Sequence, residues 1–117
     1  MAADFCLFLR TFANCADEST AHSLRLRLCD ALAAWRPTAA AEPKRYWKLP
    51  ELYEFTFDLQ PAKVAAFEQI LSLVSYGWHH AWPDENERSS VWNRADGLVL
   101  LTPEVAWANL ELFARGG

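Results

Sequence analysis

A strict period-two alternation, present in two separate runs, restricts the folds open to this chain more than any other feature of its sequence. From Leu52 to Leu59, the residues Leu52, Glu54, Thr56 and Asp58 interleave with Tyr53, Phe55, Phe57 and Leu59. Successive side chains of a strand point to opposite faces, so this run predicts a strand with an aromatic face turned toward a core. Asp4 to Phe12 repeats the pattern, with Phe5, Leu7 and Leu9 on one face and Cys6, Phe8 and Arg10 on the other. Two such strands need a helical layer or a second sheet to cover their apolar sides.

Helical signals lie between and after them. Asn14 to Thr20 offers N-cap candidates, with Asp17 and Glu18 suited to the positive end of a helix. From Ala21 to Trp35, Leu24, Leu28, Leu32 and Trp35 mark one helical face. The local run Leu24 to Leu28 also alternates like a strand, but alanines at 31, 33 and 34 favour helix, and Pro37 stops it. Pro61 suits a first helical turn, and Val64, Phe67, Ile70, Leu71 and Val74 form the stripe of a second helix, with Gly77 as its left-handed cap.

Residues 37 to 50 read as a linker with a possible short strand at Arg45 to Lys48. Short strands follow Gly77, at Trp78 to Trp82, Ser89 to Asn93 and Leu98 to Leu101, with turns at Asp84 to Glu87 and Ala95 to Gly97. Thr102-Pro103-Glu104 resembles a helix start, with Gly116 as its end, yet Val105 to Leu112 alternates as a strand would. A strand is favoured there, because the preceding segments otherwise lack a third partner. The expectation is an α+β fold, two helices packed on one antiparallel sheet, in a single domain over residues 1–117. A ferredoxin-like βαββαβ core with a C-terminal strand extension is the matching topology.

Composition narrows the function classes. With 52% hydrophobic and 22% charged residues, the 117-residue chain belongs with folded globular proteins rather than disordered ones. No apolar run approaches the roughly 20 residues that span a bilayer. The start, Met1 to Leu9, has an acid at Asp4 and no basic cluster, unlike a secretory signal. Three cysteines (Cys6, Cys15, Cys29) are an odd count and fit reduced thiols in a cytoplasm. The net charge of −4 argues against general affinity for nucleic acid. The acidity is regional: residues 51 to 87 hold seven acids against Lys63, a net of six negative charges, so the remainder is net positive by two. Such a region solvates a face and steers a basic partner.

Candidate chemistry is sparse. His79 and His80 are adjacent, and neighbouring strand residues point to opposite faces, so the pair is poorly placed to hold one metal ion. Ser89 and Ser90 lie near the histidines without a nucleophile elbow. The carboxylates Asp84, Glu85 and Glu87 sit in a turn, where solvation is the usual role, and the four glycines form no phosphate-binding loop. The reading is therefore of a non-enzyme without a cofactor. A small enzyme or ligand-binding domain with a cleft around His79, His80 and Asp84 is the alternative.

The aromatics are more informative. Trp35 belongs in the core, Trp92 and Trp107 between sheet and helices, and Trp47, Trp78 and Trp82 beside polar or turn residues as interface candidates. The basic residues Lys44, Arg45 and Lys48 around Tyr46 and Trp47 evoke single-strand nucleic-acid binding, but one short cluster in an acidic chain does not support it.

Three elements in the last third of the chain resemble a known family. Tyr76-Gly77-Trp78, then Ser89-Ser90-Val91-Trp92-Asn93-Arg94, then Pro103-Glu104-Val105-Ala106-Trp107-Ala108 resemble the small immunity proteins encoded beside bacterial polymorphic toxins, including those of contact-dependent growth inhibition. The resemblance implies stoichiometric neutralisation of one cognate toxin domain, often a nuclease, in the producing cell's cytoplasm, and brings no catalytic residues. It leaves the contact face open. Exposed aromatics beside acids single out Trp78, His80, Trp82, Asp84, Glu85 and Glu87 as the partner-binding set, with Ser89, Trp92 and Asn93 supporting the sheet beneath. Nucleic acid and membrane are not expected partners. The free protein is expected to be a monomer or small homo-oligomer, and burial of tryptophans in a homodimer is a further alternative.

Overall fold

The computed structural model describes residues 5–84, 87–94 and 98–114, and of these the side chain of Asp84 is left undescribed. The two alternating runs become the central strands, β1 (Phe5–Asn14) and β4 (Leu52–Leu59). They pair antiparallel from Leu7 against Leu59 to Asn14 against Leu52. Between them come helix α1 (Glu18–Ala31) and the two-residue strands β2 (Thr38–Ala39) and β3 (Lys44–Arg45), both paired to β4. After β4 come helix α2 (Val64–Leu71) and a meander of β5 (Trp78–Asp84), β6 (Glu87–Asn93) and β7 (Val105–Ala114). The seven strands form one antiparallel sheet in the order β2-β4-β1-β7-β6-β5, with β3 beside β4.

Both helices cover one face of this sheet, as the α+β expectation requires. Leu7, Leu9 and Ala13 of β1, Tyr53, Phe55, Phe57 and Leu59 of β4, and Ala108, Leu110 and Leu112 of β7 are buried on that face. They meet Ala21, Leu24 and Leu28 of α1 and Ala66, Phe67 and Ile70 of α2 in a continuous core. Leu26 is 64% exposed, which settles the helix-or-strand ambiguity of that run: a strand would have put it with Leu24 and Leu28.

The ferredoxin-like arrangement is not what forms. In that fold the strand after the second helix lies beside the first strand, whereas here β7 takes that place and β5 is carried to the outer edge. The first helix also ends sooner than its stripe suggests. A short 3₁₀ turn, Ala33–Trp35, follows it, and Trp35 donates its indole N–H to Gln69 Oε1 at 3.1 Å, joining the two helical segments. Residues 98 to 101 form no named strand, only an isolated bridge between Leu100 and Thr102. The expected short strand at Arg45 to Lys48 is Lys44–Arg45. Asp4, Glu85, Asn86, the Ala95 to Gly97 turn and Gly116 lie outside the described residues. No described helix is long and apolar enough to cross a membrane.

Candidate functional site

The candidate partner-binding residues fall on β5 and β6, at the sheet edge remote from β4. Register sets their faces. Trp78 lies opposite Trp92 and His80 opposite Ser90, so Trp78, His80, Arg88, Ser90 and Trp92 share the helix-covered side. His79 opposes Val91 and lies on the other side, as the alternation predicts. The sequence thus separates the two histidines by face. Among the described residues, no group of three or more His, Cys, Asp or Glu side chains converges as a metal site would require.

Trp92 is completely buried, and its indole N–H donates to Tyr76 O at 3.0 Å, in keeping with a structural role. Trp78 is half-buried and donates to Leu71 O at 3.1 Å, tying the start of β5 to the last residue of α2. Its ring therefore positions β5 as much as it presents a surface. Trp82 is 41% exposed and is fixed on several sides. Its indole N–H donates to Ser90 Oγ at 3.1 Å, and its ring meets Phe67 edge-on with centroids 5.9 Å apart. The Arg88 guanidinium carbon stands 4.4 Å over the ring centroid, and the His80 ring lies at 4.8 Å. His80 Nδ1 is 2.7 Å from the same Ser90 hydroxyl. Ser90 is wholly buried and anchors two exposed aromatic rings at once.

Arg88 extends the cluster to α2, where its Nη1 lies 3.4 Å from Glu68 Oε1. A cation over an indole favours a fixed geometry, and a ring with few rotamers left loses little entropy on binding. Of the six expected contact residues, Trp78, His80 and Trp82 are thus gathered around Ser90 and α2, and Glu87 is exposed at the start of β6. Asp84 ends β5, and Glu85 lies outside the described residues. Sequence reasoning weighed Ser90 only as a nucleophile and Phe67 only as part of a helix stripe, and it assigned no site role to Arg88 or Glu68. The alternation Arg88, Ser90, Trp92 was a usable signal, because a hairpin register would have set it against Trp78 and His80.

Two other expectations change. Trp47 is 79% exposed but follows β3 on the far side of the sheet, so it does not join Trp78 and Trp82. Trp107 does not lie between sheet and helices. It sits on the opposite face, where Phe12 stacks between it and Tyr46, both at 4.7 Å between centroids. These rings line a shallow cleft of about 360 Å³ with Leu49 and Asn93.

A larger groove, about 630 Å³, runs between β5 and the turn that follows α2. Leu71, Val74 and Trp78 give it an apolar wall, and Tyr76, His79 and His80 border it. Cys6, Cys15 and Cys29 are not joined in a disulfide. Burial, reinforced by the nearby Glu104 and Asp17 carboxylates, pushes the Cys15 thiol above its ordinary 9.0, and burial does the same for Cys29. Both are therefore protonated, unreactive thiols near neutral pH.

Comparison with protein-family models, with curated proteins and with solved structures finds no match for this chain.

Proposed function

We propose that this protein is an immunity protein. It neutralises one cognate toxin, a nuclease, by stoichiometric binding in the cytoplasm of the cell that makes both. The observation that carries this reading is the Trp82 cluster. A large, partly exposed aromatic ring is immobilised by Ser90, Phe67, His80 and Arg88 at a sheet edge, in a hairpin whose sequence carries Asp84, Glu85 and Glu87. Preorganised aromatic anchors next to charged groups are what strong protein interfaces use. Asp84, Glu85 and Glu87 would meet Arg and Lys side chains that the nuclease otherwise offers to phosphates.

A tagged copy retained from a lysate of the producing strain, washed in salt and analysed by mass spectrometry, tests this. One toxin fragment in equimolar amount supports the reading, and inhibition of its nuclease activity by the purified protein completes it. An empty column with intact, folded protein removes it. A second reading, ligand binding in the groove bordered by His79 and His80, draws on the size of that groove. Small-molecule binding that protects His79 and His80 from chemical modification would favour it instead.

A further inference from the structure

The two edges of the sheet are built differently. On the β4 side, β2 and β3 pair only two residues each and leave little template for further pairing. On the other side, β5 runs from Trp78 to Asp84 as the outermost described strand. Pro83 and the register shift between Ala81 and Asp84 blunt only its end, and Trp78 to Trp82 contains none of the lysines, prolines or glycines that usually protect an edge.

The ladder fixes which backbone groups are free. Asn93 N–H donates to Gly77 O at 3.3 Å, so Gly77 and Asn93 form a hydrogen-bonded pair. Antiparallel pairs alternate, so His79 and Ala81 also bond inward to β6, whereas Trp78 and His80 direct N–H and C=O outward. Those same two residues turn their side chains to the helix-covered face, where the 630 Å³ groove opens.

This edge is complementary to itself, and we infer that its occupant is a second copy of this chain. Antiparallel pairing of β5 with β5 about a two-fold axis at His80 sets His80 against His80 of the other copy, and Trp78 against Trp82 in both directions. The exposed side of Trp82 in each copy then faces Trp78 of the other, at the edge of the groove that Trp78 lines with Leu71 and Val74. The outward backbone groups of His80 satisfy each other, and the two sheets join into one of fourteen strands. Charge does not oppose this. Asp84, the last residue of β5, lies toward opposite ends of the seam in the two copies, roughly 27 Å apart at about 3.4 Å per residue, beyond the screening length at physiological salt. The inference goes beyond the immunity reading and rests on the β5 register alone. If both hold, the dimer covers Trp78, His80 and Trp82, and toxin and second copy compete for one edge.

Sedimentation equilibrium of the full chain over a wide concentration range tests it without any partner. The expected mass rises to twice the 13.3 kDa of one chain. His80→Pro removes the outward N–H and the imidazole contact with Ser90 while sparing the backbone bonds to β6, and is expected to remain a monomer with unchanged circular dichroism. His80→Cys provides a test that does not need that variant to fold. Residues directly opposed in such a pair have Cα atoms about 5.5 Å apart, within disulfide range. Mild oxidation is therefore expected to give an 80–80 cross-link, identified by peptide mass spectrometry apart from Cys6, Cys15 and Cys29. His79→Cys, out of register and on the other face, is expected to give no 79–79 link. A one-chain mass at every concentration overturns the inference, as does a His80→Pro dimer or oxidation without the 80–80 link. Hydrogen-exchange protection of β5 that appears only when toxin is added would assign the edge to a toxin strand and overturn it too.

Discussion

Gly77 and Trp92 hold the start of β5 in place, and each depends on the other. Gly77 has a φ of +102°, a conformation that side-chain-bearing residues avoid, and a Cβ there would lie 2.7 Å from Trp92 Nε1 and 3.0 Å from Asn93 O. That indole is occupied, donating to Tyr76 O, so it has little freedom to retreat. Gly77→Ala is therefore expected to lower stability by about 1–3 kcal/mol from backbone strain, with the clash added, as read by urea denaturation. Trp92→Ala, emptying a fully buried site, is expected to cost about 3–5 kcal/mol in the same measurement. A Trp92→Ala protein of normal stability that no longer binds its partner would instead make Trp92 a contact residue. The left-handed glycine was legible in the sequence, but its place was not. Ser72 ends α2 early, its N–H and hydroxyl both donating to Glu68 O, and Gly77 serves the strand instead of the helix. Trp107 was misplaced for a related local reason. Phe12 opposes Trp107 but Ala13 opposes Val105, so Ala106 is an extra residue that reverses the alternation. Val105 and Ala108 both face the core as a result, so a count begun at Val105 puts Trp107 on the core face, whereas the unbroken alternation of Ala108, Leu110 and Leu112 sets it with Asn109 and Glu111 on the other.

The elements with an uninterrupted period were readable almost to the residue, and those whose limits depend on distant contacts were not. β4 runs from Leu52 to Leu59 as the alternation predicts, and β7 is a strand although its first residues imitate a helix start. What holds that false start in place is a tertiary contact. Glu104 receives two hydrogen bonds from Arg27 of α1, at 2.8 and 3.2 Å, while its carbonyl accepts from Asn14 N–H at the end of β1. The Arg27 guanidinium holds the Glu104 carboxyl below its ordinary 4.5. A lowered folded-state pKa means stability that is present above the unfolded value and lost as pH falls through the folded one. Asp17, whose carboxylate accepts from Thr20 N–H as the N-cap of α1, is lowered in the same sense. Melting temperature is therefore expected to fall on acidification through and below pH 4.5. Glu104→Gln is expected to start slightly lower near neutrality and to lose less over the same range. Equal acid sensitivity in the two proteins would assign the loss to other groups. The effect is small, because the pair is partly exposed and its charges remain hydrated.

At the scale of the whole molecule, the fold leaves one end of the sheet open and divides the acidic stretch of the sequence. Glu54 and Asp58 lie on β4 and Glu51 just before it, on the other side of the sheet, so only Asp84, Glu85 and Glu87 belong to the β5–β6 hairpin. The sequence disclosed the acidity between residues 51 and 87 but not the clustering of Trp78, His80 and Trp82 around Ser90, which needs the β5–β6 register and the docking of Phe67 from α2. If a basic toxin is steered to that end, the effect must depend on where the charges lie and not only on how many there are. Glu85→Lys with Glu87→Lys changes the net charge from −4 to zero. Asp30→Lys with Asp58→Lys makes the same change on α1 and β4, and both of those positions are exposed and away from β5 and β6. The first pair is expected to slow association with the toxin at least tenfold at low ionic strength and to flatten its dependence on salt, with folding intact by circular dichroism. The second pair is expected to cost much less, since screened charges more than about 10 Å from the contact act weakly. Stopped-flow association across a salt series separates the cases. Equal slowing by the two pairs would mean that net charge governs encounter, and unchanged kinetics in the first pair would remove the β5–β6 end as the docking face. Slower association confined to the first pair would assign the encounter to Glu85 and Glu87, and the aromatic cluster would then be expected to govern dissociation.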